Sequence, residues 1–531
     1  MSLAAAKLPE NIDELRAFAL SLQTGYAVLE DELYAKTLHI EKLKAQLALL
    51  KRARFGRSSE KLDREIEQME LTLGDLEEGQ AQRLAKREQQ ADAAAEPAAK
   101  AEARQQRAER SRRELPAHLP RETVEHNPDC VCAKCGGHRL RQIGVDKREV
   151  LEYVPSHFKV IVHERPKMAC KDCESIAQQP MPSLPIVRGL PGPALLAHVL
   201  VSKYCDHLPL YRQSEIYARE GLELDRSMLA EWVGHMAGLL TPLAEAIGKH
   251  VRACETIHAD DTPLPVLDPG RGKTKTARLW VALRDESGWG SSTPPAAFYR
   301  YSEDRTKEQV TALLEGCQGY LHVDAYSGFK QLYVPDPRTD RPRFMEVACW
   351  AHARRKIYDV HVATGSPAAL DLLQRIGALF DLEREIKGKP SDERLRARSS
   401  QAAPMLAELK IAYETTLNKI SGKSTLAEAL RYALSRWPSF TRYTTDGRLE
   451  ICNNAAERAI RPLALGRKNW LFAGSDTGGE RAALMYTILQ TAKMNGLNPE
   501  AYLCDIISRI ADHPINKIDR LLPWNVSVNP A

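Results

Sequence analysis

Residues 12–50 carry a repeat of seven. With Ile12 at position a, the a and d positions fall on Ile12, Leu15, Ala19, Leu22, Tyr26, Leu29, Leu33, Lys36, Ile40, Leu43, Leu47 and Leu50, and only Lys36 is charged. An apolar stripe with that period predicts a coiled coil. The stripe ends in polar sequence rather than in another apolar element, which favours self-association over packing on its own chain. KRARFGRSSEKL follows, with Gly56 a helix stop beside a dense positive cluster. We take 1–63 as a leucine-zipper coiled coil. Over 64–115 the periodicity dissolves into Glu, Gln, Ala and Arg, too poor in core-forming residues for a fold, and reads as a charged linker.

Period two then appears. REVLEYVPSHFKVIVHERPKMAC is strand-like and lies between Cys132-x-x-Cys135 and Cys170-x-x-Cys173. Each pair can set two thiolates on one tetrahedral ion, so 116–185 is expected to be a zinc ribbon, with Cys130 able to compete with Cys132 as ligand. Residues 186–250 return to a helical pattern. LPLYRQSEIYAREGLELDRSMLAEWVGHM gives a helix, a break at Gly221, and a second helix capped by Asp225 or Ser227 with Leu229, Trp232, Val233 and Met236 on its apolar side. This suits a helix-turn-helix DNA-binding module, and equally any helical hairpin.

From 251 the pattern alternates between strand and helix. CETIHADDTPLPVL, ARLWVALRDE and AAFYRYSE read as three strands and RTKEQVTALLEG as a helix. GYLHVDAY and RFMEVACW follow as a fourth and fifth strand, then AHARRKIYDVH as a helix. This order is a partial match to a ribonuclease H-like fold, in which a helix also separates the last two strands; none is legible here. The core is expected over 251–366 and 441–495, interrupted by a helical insertion at 367–440 and followed by a C-terminal helical tail, 496–531. The whole is a multidomain α/β chain, in keeping with 531 residues.

Composition narrows the class. Hydrophobic residues make up 43 % and charged residues 27 %, and no apolar run is long enough for a transmembrane helix. The amino terminus has no secretory pattern, and eleven unevenly placed cysteines suit a reducing, cytoplasmic setting. The net charge of +5 is a mild pointer to nucleic acid.

The candidate chemistry lies in acids at strand ends. In the ribonuclease H-like order the first and fourth strands are neighbours, so Asp260 or Asp261 would face Asp324. The two adjacent aspartates point to opposite faces, and only one can share a site with Asp324. Paired carboxylates in a pocket need divalent cations, Mg²⁺ or Mn²⁺ by ligand type, and two such ions suit in-line phosphoryl displacement. Glu457 is the third candidate, opening a helix among Arg458, Arg461, Arg467 and Lys468, themselves candidates for phosphate contact. Asp446, Asp268 and Glu450 read as ordinary surface acids. Cys349-x-x-His352 offers too few ligands for structural zinc.

HADDTP, HVDAYSGF, CWAHARRK and NNAAERAIRPLALGRKNWLFAGSDTGGERAA resemble the signature blocks of IS66-family insertion-sequence transposases. The zipper, the paired-cysteine ribbon and the helical segment fit that family in the same order, so the resemblance covers nearly the whole chain. It implies a DDE transposase with Asp260, Asp324 and Glu457 as the triad, and it selects Asp260 over Asp261. Cys349 and His352 resemble a C-x-x-H signature of transposases with a helical insertion, which assigns His352 to core architecture or DNA contact. The implied activity is binding of terminal inverted repeats, DNA cleavage and strand transfer to target DNA. A nucleoid-associated homo-oligomer, with small accessory proteins from the same element, is the expected setting. A non-catalytic DNA-binding regulator and a metal-dependent nuclease on the same fold are the rival readings.

Overall fold

The computed structural model describes the chain from residue 115 onward, apart from positions 116, 118, 128–139, 155–156, 187–188, 269–272, 471 and 528–531. The expected zipper, the linker up to residue 114, and Cys130, Cys132 and Cys135 therefore lie outside the described residues.

The first sheet is built from Arg121–Glu125 (β1), Leu140–Val154 (β2), His157–Cys170 (β3) and Ile176–Ala177 (β4), in the order β1-β3-β2 with β4 also on β3. Phe158, Val160 and Val162 are buried at alternate positions of β3, the two-residue period of a half-buried strand. This sheet docks on Pro193–Tyr204 (α1). The Glu152 carboxylate accepts the Leu195 N–H at 2.7 Å, where a helix N-terminus favours negative charge. Burial nevertheless pushes the Glu152 pKa up.

Two helices follow, Leu210–Arg219 (α2) and Arg226–Arg252 (α3). Gly221 separates them at φ 80°, a left-handed conformation that glycine adopts without penalty. Leu229, Trp232, Val233 and Met236 face the core as the pattern requires. Along α3, however, only Glu231, Glu245 and Lys249 are exposed. α3 is therefore packed against the core along most of its length.

The central sheet comprises Thr256–Leu267 (β5), Thr274–Arg284 (β6), Ala296–Ser302 (β7), Gly319–Val323 (β8) and, beyond a small hairpin of Pro335–Asp336 (β9) and Arg341–Pro342 (β10), Phe344–Ala348 (β11). Its order is β11-β8-β5-β6-β7. The β5–β6 and β6–β7 pairs are antiparallel, and the β5–β8 and β8–β11 pairs are parallel. Lys307–Leu313 (α4) makes the crossover from β7 to β8. Between β8 and β11 the chain forms a 3₁₀ segment, Ser327–Tyr333, and the small hairpin, which is why no α-helix is legible there. β5 is central, so Ile257, His258 and Ala259 are all buried; neither of its faces is the wet one.

Trp350–Thr364 (α5) leads into Pro367–Glu385 (α6), Ser391–Ala397 (α7), Ala403–Lys419 (α8), Thr425–Leu434 (α9) and Trp437–Thr441 (α10). These helices gather around a second core that includes Trp350, Ile376, Tyr413, Leu430 and Phe440. The charges buried in this unit change the reading of one acid. Arg394 is paired with Glu383 and with Glu450 Oε1 at 2.9 Å, so Glu450 is a structural ion-pair partner and not an ordinary surface acid. Asp446 is likewise held, by Arg448 at 2.9 Å, and its pKa is lowered by the hydrogen bonds and charge of that arginine against the opposing effect of burial.

Asn454–Gly466 (α11) packs over β5 and β6, and Asp476–Met494 (α12) lies on β7. Pro499–Ile510 (α13) buries Tyr502, Leu503, Ile506 and Ile507 in the main core and packs on α1. The stretch expected as a tail thus closes the domain.

Candidate functional site: carboxylates at the strand ends

β5 and β8 are parallel neighbours whose last paired residues are His258 and His322. Two positions further along each chain stand Asp260 and Asp324, so the register aims both aspartates at one place. Asp324 lies just past the end of β8. Its Oδ1 accepts the Tyr326 N–H at 3.0 Å, an Asx-type turn that holds the carboxylate at the strand end.

The two adjacent aspartates are separated by their partners. Asp261 points away into a cationic pocket, taking hydrogen bonds from Arg278 Nη1 (3.1 Å) and Arg305 Nη2 (2.8 Å). Arg305 also stacks on the Tyr326 ring at 3.9 Å and comes within 4.0 Å of Asp324 Oδ2. Asp260 has no such cation. Burial pushes its pKa up to about 7, the Asp261 N–H opposes this, and the charges of Asp324, Asp261 and Glu457 raise it further. Glu457 is thus among the acids whose charge reaches Asp260.

Glu457 stands in the first turn of α11, where the helix dipole favours an anion. Its Oε1 is 3.5 Å from His352 Nδ1, which makes no hydrogen bond. Cys349, His352 and Glu457 bring ligand atoms within 4.8 Å of one another, so the pair that looked too small for a metal has a third neighbour. The Cys349 sulfur is otherwise engaged: it accepts the Asn453 N–H at 3.2 Å, and burial pushes its thiol up to about 11.

The expected phosphate-binding cations divide. Arg458, Arg461 and Lys468 are exposed, with Leu465, along one stripe of α11 and the turn after it. Arg458 lies 4.0 Å from Asp285, and Arg467 is half-buried with Nη1 on the Pro263 carbonyl at 2.7 Å. Arg467 therefore joins the α11 end to β5. Sequence reasoning missed Arg278 and Arg305 as the partners of Asp261. It also missed His258 and His322, although each stands two residues before its aspartate in HADD and HVDA.

In the ribbon, Cys170 closes β3 and its Sγ accepts the Asp172 N–H at 3.4 Å, while Cys173 Sγ lies 3.1 Å from Ser175 Oγ.

The acids fit a divalent cation: Asp260 is largely buried with no cationic partner of its own, yet has three acidic neighbours. The linkage has a definite sign. Asp260 holds its proton to about pH 7 in the folded protein and to about 3.8 when unfolded, so the metal-free protein loses stability as pH rises through this window. Metal binding displaces that proton. Thermal scans with and without Mn²⁺ should therefore show a larger gain in Tm at pH 8 than at pH 5.5, and Asp260→Asn should remove the difference.

An acidic centre at the ends of parallel strands, ringed by arginines, defines a class of site rather than one protein; comparison with known sequences defines the family. The family model described as transposase IS66 family matches residues 188–481. Three more match in order: transposase C of IS166 homeodomain at 42–124, the zinc-finger binding domain of transposase IS66 at 129–174, and the IS66 C-terminal element at 487–524. The chain belongs to the IS66 transposase family. Among its relatives are three uncharacterized proteins of Sinorhizobium fredii (strain NBRC 101917 / NGR234). The protein y4qI is 39 % identical, with 99 % of each chain covered. The protein y4hP is 38 % identical over 92 % of this chain and 88 % of its own, and y4jD is 35 % identical over 99 % and 98 %.

Among the described residues no helix is long and apolar enough to cross a membrane.

Proposed function

We propose that this chain is a DDE transposase that cuts at the terminal inverted repeats of its element and joins the 3′ ends to target DNA. Asp260, Asp324 and Glu457 are its triad. The observation that carries the reading is the matched placement of Asp260 and Asp324 two residues beyond the last paired positions of the parallel strands β5 and β8, with Asp260 largely buried, no cation of its own, and Glu457 among the acids whose charge it feels. A regulator would gain nothing from so costly an arrangement. The sheet order β11-β8-β5-β6-β7, with its two parallel and two antiparallel pairs, supports a ribonuclease H-like core.

Divalent ions held by these acids, Mg²⁺ or Mn²⁺ by the hardness of the oxygen ligands, would supply Lewis acidity at the scissile phosphate. The protein's own groups do the rest. Asp324 is oriented by the Tyr326 N–H, Asp261 retains Arg305 at the rim, and Arg458, Arg461 and Lys468 present a cationic stripe to the DNA backbone. Binding should weaken steeply with salt. Cys170 and Cys173, with Cys132 and Cys135, are assigned to structural zinc, and the heptads of 12–50 to self-association of protomers at paired ends.

The test is a product analysis on labelled inverted-repeat DNA with Mg²⁺ or Mn²⁺. Joined products support the transposase reading. Hydrolysis without joining favours a nuclease, and binding without reaction under every metal condition favours a regulator.

A further inference from the structure

Beneath the carboxylates lies a layer that the reacting groups would never touch. His258 precedes Asp260 by two on β5, and His322 precedes Asp324 by two at the end of β8, so each histidine shares the face of its aspartate. The two are register partners, both buried, and their rings stack with centroids 4.1 Å apart and planes 16° from parallel.

Each ring also reaches the segment that carries the third acid. His258 Nδ1 meets Asn453 Oδ1 at 3.1 Å, and Asn453 Nδ2 donates to the Ala259 carbonyl at 2.8 Å. The second bond fixes the amide orientation, so His258 is the donor in the first. The Glu450 N–H donates to His322 Nε2 at 3.0 Å.

Asn453 occupies the N-cap of α11. At that position an asparagine side chain ordinarily accepts an N–H of its own helix. Here it makes no cap hydrogen bond, and its side-chain hydrogen bonds go instead to β5, to His258 and the Ala259 carbonyl. Its backbone N–H goes to Cys349 Sγ, the N-cap of α5. A buried N-cap diverted from its helix to a neighbouring strand is a positional device. Glu457 follows Asn453 by four residues, on the same side of α11.

We propose that Asn453 is a positioning residue: by clamping the start of α11 to β5 through His258 and the Ala259 carbonyl, it sets Glu457 in place relative to Asp260 and Asp324. This rests on the triad reading given above. Without the clamp α11 still folds, because Ala456, Ile460 and Leu463 remain in the core, but Glu457 loses its register with the aspartates.

The experiment measures the Mn²⁺ concentration for half-maximal cleavage of labelled inverted-repeat DNA by the full-length protein, with metal-free Tm in parallel. Asn453→Ala and His258→Leu should raise that concentration about 10–100-fold, the usual loss when the support of a metal ligand is removed, while saturating Mn²⁺ restores most of the rate. His258→Asn keeps a donor where Nδ1 stood and should stay close to wild type. The double variant Asn453→Ala/His258→Leu should be no worse than Asn453→Ala, since both cut one link. An unchanged half-saturating concentration in Asn453→Ala, or equal behaviour of His258→Leu and His258→Asn, overturns the proposal. If Asn453→Ala does not fold, the His258 pair makes the same decision. A fully active Glu457→Gln would remove the triad reading itself, whereas an inactive Glu457→Gln beside an unshifted Asn453→Ala removes only the clamp.

Discussion

Asp324→Asn should abolish both cleavage and strand transfer while leaving binding to inverted-repeat DNA at wild-type strength. The substitution keeps the shape of the side chain and an oxygen for the Tyr326 N–H, so the strand end should hold. What is lost is a negative charge at the centre. A fall on the order of 10³-fold or more is expected, the scale on which a strong transition-state stabiliser acts. Binding survives because the cationic stripe of α11 is untouched. The metal-free protein should be no less stable than wild type, since the change removes repulsion against Asp260. Filter binding and a strand-transfer gel on the same preparation check both halves. Weakened binding in proportion to activity would place Asp324 in DNA recognition instead.

The largest effect on stability is expected inside the helical insertion. Arg398 is wholly buried and forms a fork with Glu383, Nε to Oε1 and Nη2 to Oε2, each at 2.7 Å. Arg394, equally buried, shares the same carboxylate. Removing one member of a buried pair leaves an uncompensated charge, at a cost of about 3–5 kcal/mol. Glu383→Ala strands two arginines with only Glu450 as anionic partner, so it should fall at the upper end of that range. Arg398 also donates to the Tyr443, Asp446 and Leu449 carbonyls, which shape the chain leading to α11. Limited proteolysis should therefore open the insertion first, with activity falling alongside. Glu383→Gln, which keeps the acceptor but not the charge, should be intermediate. Unchanged proteolysis of Glu383→Ala would show that the network contributes no stability.

Much of this architecture is legible in the pattern of residues, and the exceptions have physical causes. Strands such as AAFYRYSE announce themselves because Phe298, Tyr299 and Tyr301 suit a pleated, half-buried surface. The face of β5 is not legible: as a central strand it is buried on both sides, so hydrophobic alternation vanishes and cannot choose between Asp260 and Asp261. What separates them is Arg278 and Arg305, which come from β6 and from the turn before α4, and no local pattern marks such partners. The burial of α3 is hidden for a related reason. Its apolar side reads correctly, but nothing in the sequence tells that the remaining side is covered too. Glu450 and Glu383 look like surface acids because charge is normally solvated; only the fold reveals the buried arginines opposite them. Asn453 is the subtlest case. As an N-cap it is ordinary in sequence, and its diversion to β5 appears only once strand and helix are set side by side.

The central claim is that Asp260, Asp324 and Glu457 hold metal together. Anomalous scattering from crystals soaked in Mn²⁺ tests it most directly. Manganese peaks are expected between the Asp260 and Asp324 carboxylates, with Glu457 on one of them, and their loss is expected in Asp324→Asn. Manganese bound elsewhere, for instance between Cys349 and His352, with nothing at the two aspartates, would contradict it.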